Sequence, residues 1–208
     1  MDGVFMKKLI KWTIFFVLAA FVLDFGGIAS DKQALGQSVI RLHVVGASDS
    51  EEDQAVKLQV KDAVVDYVEQ AMAHVMTFEE AKTWLKENLP GITQTANAVL
   101  AKMGLTDTVA VSFDREAFPV RHYDTFSLPS GVYDALRITI GEGLGRNWWC
   151  VVFPNLCLPA AGETTEDVAA GAGFDGELTN TLTGQQGYQL RFYFLDILGK
   201  IENFLFGA

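Results

Sequence analysis

The chain has 208 residues, 50% hydrophobic and 12% aromatic, enough to bury one sizeable core and suited to a single domain. Its formal net charge is −10, from 16 basic and 26 acidic residues. That balance excludes nucleic acid or an anionic membrane surface as the main partner, because both would repel it.

Lys7, Lys8 and Lys11 precede an apolar stretch from Trp12 to Leu23, closed by Asp24. This is the layout of a secretory signal, and twelve apolar residues are too few to span a bilayer comfortably. Gly27-Ile28-Ala29 offers small residues to a signal peptidase before Ser30. Residues 1–29 are therefore expected to be a secretion signal or an uncleaved N-terminal anchor over residues 7–28, giving transient or lasting membrane association. Removing them takes three lysines and two aspartates, which leaves 13 basic against 24 acidic residues and a charge near −11.

Ser38 to Val45 alternates, with Ile40, Leu42 and Val44 on one face and Arg41 and His43 on the other, which predicts a half-buried strand with His43 at the surface. Ser48 and Glu51 form a predicted capping box, and Glu51, Glu52 and Asp53 suit a helix N-terminus. Val56, Val60, Val64, Tyr67 and Ala71 then recur at helical spacing to about His74. Thr77 and Glu80 make a second capping box. Pro90 ends that helix and can open a third, which Gly104 terminates. Strand-like runs follow at Thr108 to Phe113, around Val120 to Phe126, and Val132 to Ile140, the last two joined by a turn at Pro129-Ser130-Gly131.

From Pro159 to Gly187 the acids Glu163, Glu166, Asp167, Asp175 and Glu177 stand among Ala, Gly and Thr without a basic residue, as in a flexible acidic linker or long loop. Residues 188–208 form an amphipathic helix, with Leu190, Phe194, Ile197, Ile201 and Leu205 on its apolar side. Docking of that side onto the core is the expectation; lying on a membrane is the alternative. The predicted class is α+β: a mixed or antiparallel sheet in a domain over 38–158, two to three N-terminal helices packed on it, and the C-terminal helix beyond the linker.

No catalytic constellation stands out. Asp49, Glu51 and Asp53 alternate as in a calcium loop, but Gln54 and Val60 occupy its glycine and bidentate glutamate positions. Gly141-Glu142-Gly143-Leu144-Gly145 ends in Arg146 where a dinucleotide fingerprint needs glycine. His43, His74 and His122 lack metal-ligand spacing, so neither metal nor cofactor is expected. Ser48 and Ser50 lie in no nucleophile elbow, and nothing in the spacing of Asp114, Glu116 and Asp124 requires acid–base work.

Asn147 to Cys157 holds two of the four tryptophans and both cysteines. On one extended strand Cys150 and Cys157 would lie about 23 Å apart, beyond bridging range. A reversal with a loop over Val152 to Asn155 would set Cys150 opposite Cys157 and Val151 opposite Leu156 and allow a disulfide, contributing roughly 2.5 kcal/mol by loop entropy. The alternative is two reduced, buried cysteines.

Ile40-Arg-Leu-His-Val-Val-Gly-Ala-Ser-Asp-Ser-Glu-Glu-Asp-Gln54, Phe118-Pro119, Leu128-Pro-Ser-Gly-Val-Tyr133, and Gly141 through Asn147-Trp-Trp-Cys to Phe153-Pro and Leu156-Cys157 together resemble the stage II sporulation protein R family, in order over Ile40 to about Leu158. Ala47 and Asn155 depart from its pattern, at an asparagine and a second proline. The resemblance implies a non-enzymatic signalling protein exported from the forespore into the intermembrane space. Its implied partner is the mother cell's membrane-embedded aspartic protease, which processes the sigma factor E precursor. The alternatives are a secreted hydrolase acting on the wall or septum, or a structural septal protein. Asn147, Trp148, Trp149 and Phe153 are the candidate partner-binding residues. Strand alternation sends the two tryptophans to opposite faces, one inward and one free for a partner.

Overall fold

A computed structural model describes residues 30–75, 77–123, 125–155, 157, 169–170, 174–184 and 189–206, with Lys8, 11–13, Phe15, Phe16 and Gly27 from the N-terminal segment. The expectations that fall on Asp124, Leu156, the cleavage site and most of the acidic stretch lie outside these residues.

Four strands build the main sheet: β1 (Ile40–Val45), β2 (Val109–Phe118), β5 (Gly131–Ile140) and β6 (Asn147–Phe153), in the order β2-β5-β1-β6. Two short strands, β3 (Arg121–His122) and β4 (Ser127–Leu128), form a separate ribbon. β2 and β5 pair antiparallel without interruption from Val109↔Ile140 to Phe118↔Gly131. β1 runs parallel to β5 and antiparallel to β6, so the sheet is mixed. The parallel pair needs a crossover, supplied by helices α1 (Glu51–Met72), α2 (Phe78–Glu87) and α3 (Leu89–Lys102) together with β2.

The helices begin where the sequence places caps, with one difference. Thr77 and Glu80 form the capping box of α2, and Pro90 lies in the first turn of α3. At α1 the capping residue is Ser50, not Ser48: its hydroxyl accepts from Asp53 N at 3.1 Å. Ser48 Oγ instead accepts from Ser50 N at 3.1 Å and donates to the Asp53 carboxylate, so two serines brace one turn.

One face of the sheet packs on the helices, where Leu42, Val44, Val60, Val64, Leu85 and Leu100 share a core with Leu136 and Ile138. The opposite face is covered as well. Leu35, from a helical turn over 30–36, joins Phe118, Tyr133, Val151, Phe174, Leu178 and Leu182 in a second core. This corrects the reading of β1 as half-buried. Arg41 and His43 are only 0% and 5% exposed: Phe118, Tyr123 and Tyr133 enclose Arg41, and Trp149, Phe118 and Glu116 enclose His43. Alternation within β1 could not reveal a cover that comes from so far along the sequence.

Part of the second core falls where the linker was expected. Helix α4 (Gly176–Leu182) is capped by Asp175, whose side chain accepts from Leu178 N at 2.7 Å, and it buries Leu178 and Leu182. The hydroxyls of its Thr179 and Thr181 and of Thr183 just beyond it donate to carbonyls four residues back, so the polar composition is satisfied locally.

Helix α5 (Gln189–Phe206) docks along β5, but not by its apolar side. Leu195, Asp196 and Gly199 face the body, where the Asp196 carboxylate accepts from Ser130 N at 3.0 Å and Ser130 Oγ at 2.6 Å. A Cβ on Gly199 would come within 1.5 Å of Ser130 O, so glycine permits the close approach. Asn203 Nδ2 donates to Phe118 O at 2.8 Å.

Candidate functional site

Two glycine-containing loops meet at one end of the sheet, where β1 leaves and β6 enters. Gly145 N donates to Gly46 O at 2.9 Å, and Leu144 N donates to Ala47 O at 3.1 Å. A side chain at 145 would collide with the backbone, since an added Cβ would lie 2.2 Å from Ser48 O. Gly141 and Gly143 turn the chain at φ 56° and 68°. From α1, Lys57 Nζ donates to Arg146 O at 2.9 Å, and Asp49 Oδ1 accepts from Arg146 N at 2.6 Å. The Gly-Ala-Ser-Asp-Ser and Gly-Leu-Gly-Arg motifs are thus two halves of one rigid junction.

Leu144 stands at the tip of this junction with 74% of its surface exposed, beside the exposed Arg146 and Asn147. Sequence reasoning passed over Leu144. The available signal was a large apolar residue between glycines in a loop, where neither core nor turn asks for one.

The tryptophans follow Asn147 on opposite faces of β6, and both are half-buried. Trp148 packs at the margin of the helical core, with Lys61 Nζ 4.9 Å from its ring centroid. Trp149 lies on the other face, stacked on His43 at 3.9 Å with Arg121 above it at 5.0 Å. His43 Nδ1 meets Glu116 Oε2 at 3.0 Å, and Arg137 lies 3.5 Å from the other Glu116 oxygen. Burial alone would raise the Glu116 carboxyl, but the His43 hydrogen bond and the Arg137 charge outweigh it and hold the group below its ordinary range. Neither indole is wholly inward or wholly free, which replaces the expected division of roles. Phe153 is 7% exposed and belongs to the helical core, so it is not presented to a partner.

A disulfide joins Cys150 and Cys157, whose Cα atoms are 5.6 Å apart. The backbone around it is not the expected two-stranded hairpin. Cys150 pairs with Leu42 of β1, and beyond Phe153 the chain turns through Pro154 and Asn155. Asn155 Nδ2 donates to the Glu69 carboxylate on α1. The result is a hook pinned to a helix, in which β1 supplies the strand partner that sequence reasoning assigned to the hook itself.

Ser50 caps α1 and Ser48 braces the turn before it, and His122 Nδ1 lies 2.8 Å from Ser127 Oγ on the β3–β4 ribbon. Among the described residues no group of three or more His, Cys, Asp or Glu side chains could hold a metal ion. Arg41 is enclosed with its guanidinium 4.2 Å from the Phe118 ring centroid and donates to Tyr123 Oη at 3.3 Å. Burial lowers its pKa from the ordinary value.

Residues 36–163, more than half of the chain, match the family Stage II sporulation protein R (spore_II_R). The chain belongs to the stage II sporulation protein R family. A similar protein is Stage II sporulation protein R of Bacillus subtilis (strain 168), 33% identical over 159 residues that cover 71% of each chain. No solved structure matches. The family match spans the loop junction, the Trp-Trp-Cys strand and the disulfide, and stops before α4 and α5. Membership is consistent with a role in sporulation.

Proposed function

We propose that this chain is a secreted signalling protein of the forespore. It acts from the intermembrane space on the mother cell's membrane-embedded aspartic protease, which then processes the sigma factor E precursor. Membership in the sporulation family, across a segment that holds an oxidised cysteine pair, carries this reading. A disulfide persists outside the reducing cytoplasm, and the Lys-flanked apolar N-terminus supplies the route there.

The activating surface in this proposal is the loop junction rather than the hook. Leu144, Arg146 and Asn147 are exposed on a rigid support, and the rim of Trp148 adjoins them. An exposed apolar tip on a pre-organised loop loses little conformational freedom on binding. Phe153 acts indirectly, by holding β6 against α1.

The test is co-production of this chain with the protease and the sigma precursor in a non-sporulating cell, with and without residues 1–29. Processing by the exported form alone is the expected result. Processing by both forms would remove the requirement for export, and processing by neither would remove the activator role.

A further inference from the structure

Helix α5 presents its apolar side to solvent. Leu190, Tyr193, Ile201, Phe204 and Leu205 are 73%, 58%, 51%, 88% and 61% exposed and recur at helical spacing along one stripe. The acids of the helix lie elsewhere. Asp196 is turned to Ser130 and paired with Lys200 at 2.7 Å, and Glu202 is paired with Lys32 at 2.5 Å. No acid therefore interrupts the outward stripe.

The same helix holds the point where the N-terminal segment reaches the body. Arg191, near its start, pairs with Asp31 at 2.5 Å, and Glu202, near its end, takes the neighbouring Lys32. Eight chain steps, across the seven residues 24–30, separate Leu23, the end of the apolar stretch, from Asp31. They reach at most about 28 Å, which is about the length of the 18-residue helix itself. A bilayer that holds residues 12–23 is thus within one helix length of the α5 stripe. Trp12, Phe15 and Phe16 are also more than half exposed. Among the described residues no helix is long and apolar enough to cross a membrane, and α5 carries Asp196, Lys200 and Glu202 within its length.

We infer that α5 seats its outward stripe in the interface of a lipid bilayer, parallel to the surface, beside the membrane entry of the N-terminal segment. The net charge of −10 favours zwitterionic over anionic lipid. The seat is independent of which protein partner the loop junction meets, and it rests on residues 12–23 staying attached as the anchor beside the Arg191 and Glu202 clamps.

The test places a tryptophan on the stripe of the full chain, Phe204→Trp, with Tyr193→Trp as a second probe, and binds the protein to phosphatidylcholine vesicles with brominated acyl chains. Relative to the unsubstituted protein, the added fluorescence is expected to shift to the blue and to lose about half its intensity or more, as befits burial about 5–10 Å deep at the acyl boundary. Added fluorescence that stays unquenched at both positions in vesicle-bound protein would overturn the inference. So would concentration-dependent dimers in vesicle-free buffer that protect both probes and persist on vesicles, since the stripe would then meet a second copy.

Discussion

The Trp149 indole lies flat on the His43 imidazole, with ring centroids 3.9 Å apart and planes 19° from parallel. This contact joins edge strand β6 to the central strand β1 across the face that carries the second core. It continues on one side to Arg121 and on the other to Glu116 and Arg137. A pair of stacked rings flanked by charged groups thus fixes the strand that bears the candidate surface.

Removing the indole should cost stability. Trp149→Ala is expected to lower unfolding free energy by about 3 kcal/mol in urea titrations, within the range for truncating large aromatics. Trp148→Ala, at the margin of the core with Lys61 over its ring, is expected to cost about half as much. Equal losses at both positions would contradict the different environments of the two rings.

The carboxylates give a pH dependence of definite sign. Glu116 and Asp196 both titrate below their ordinary values of 4.5 and 3.8. For Glu116 the cause is the His43 and Arg137 interactions overcoming burial; for Asp196 it is Lys200 and Ser130 overcoming burial. Each is more acidic folded than unfolded, so its stabilisation is complete above the ordinary value and is lost as pH falls through the depressed folded value. Thermal melts should show the midpoint falling below pH about 4.5, with a shallower fall in Glu116→Gln.

The disulfide closes a short loop, and Cys150→Ser with Cys157→Ser is expected to lower stability by roughly 2.5 kcal/mol. Reductant should lower the melting temperature of the unsubstituted protein toward that of the double variant and leave the variant unchanged. A reductant-insensitive melt would show that the bridge contributes nothing.

At the loop junction, Gly145→Ala must displace the Ser48 carbonyl, and a loss of about 2 kcal/mol or more is expected. Hydrogen exchange at 46–50 and 141–147 should rise together, because the two loops are hydrogen-bonded to each other.

The sequence made the helical layer legible because its signals are local: Thr77 with Glu80, Pro90, and valines at helical spacing in α1. The strands β1, β2 and β5 were legible from the alternating runs, whereas the choice between a mixed and an antiparallel sheet was not, since it rests on the parallel β1–β5 pairing. The second layer was not legible. Gly176–Leu182 is seven residues with two threonines and no strong periodicity, and its contribution rests on where Leu178 and Leu182 arrive in space. Arg41 and His43 looked like surface residues because Phe118, Tyr123, Tyr133 and Trp149, which enclose them, come from distant parts of the chain. The orientation of α5 was hidden for the opposite reason. Its strong apolar stripe suggested burial, whereas Asp196, Gly199 and Asn203 make the docking contacts. At the site, the spacing allowed the cysteines to pair through a chain reversal and left reduced cysteines open, and the hook's path depends on β1, more than a hundred residues earlier in the chain.

The most direct test of the account is Leu144→Ser in the reconstituted processing assay, with the variant's export and melting temperature measured alongside. Leu144 is 74% exposed, so stability is expected to change by less than about 0.5 kcal/mol. Processing of the sigma precursor is expected to fall by about tenfold, the order of loss for an apolar anchor worth roughly 1.4 kcal/mol at an interface. Undiminished processing by an exported, equally stable Leu144→Ser protein would contradict the assignment of the loop junction as the activating surface.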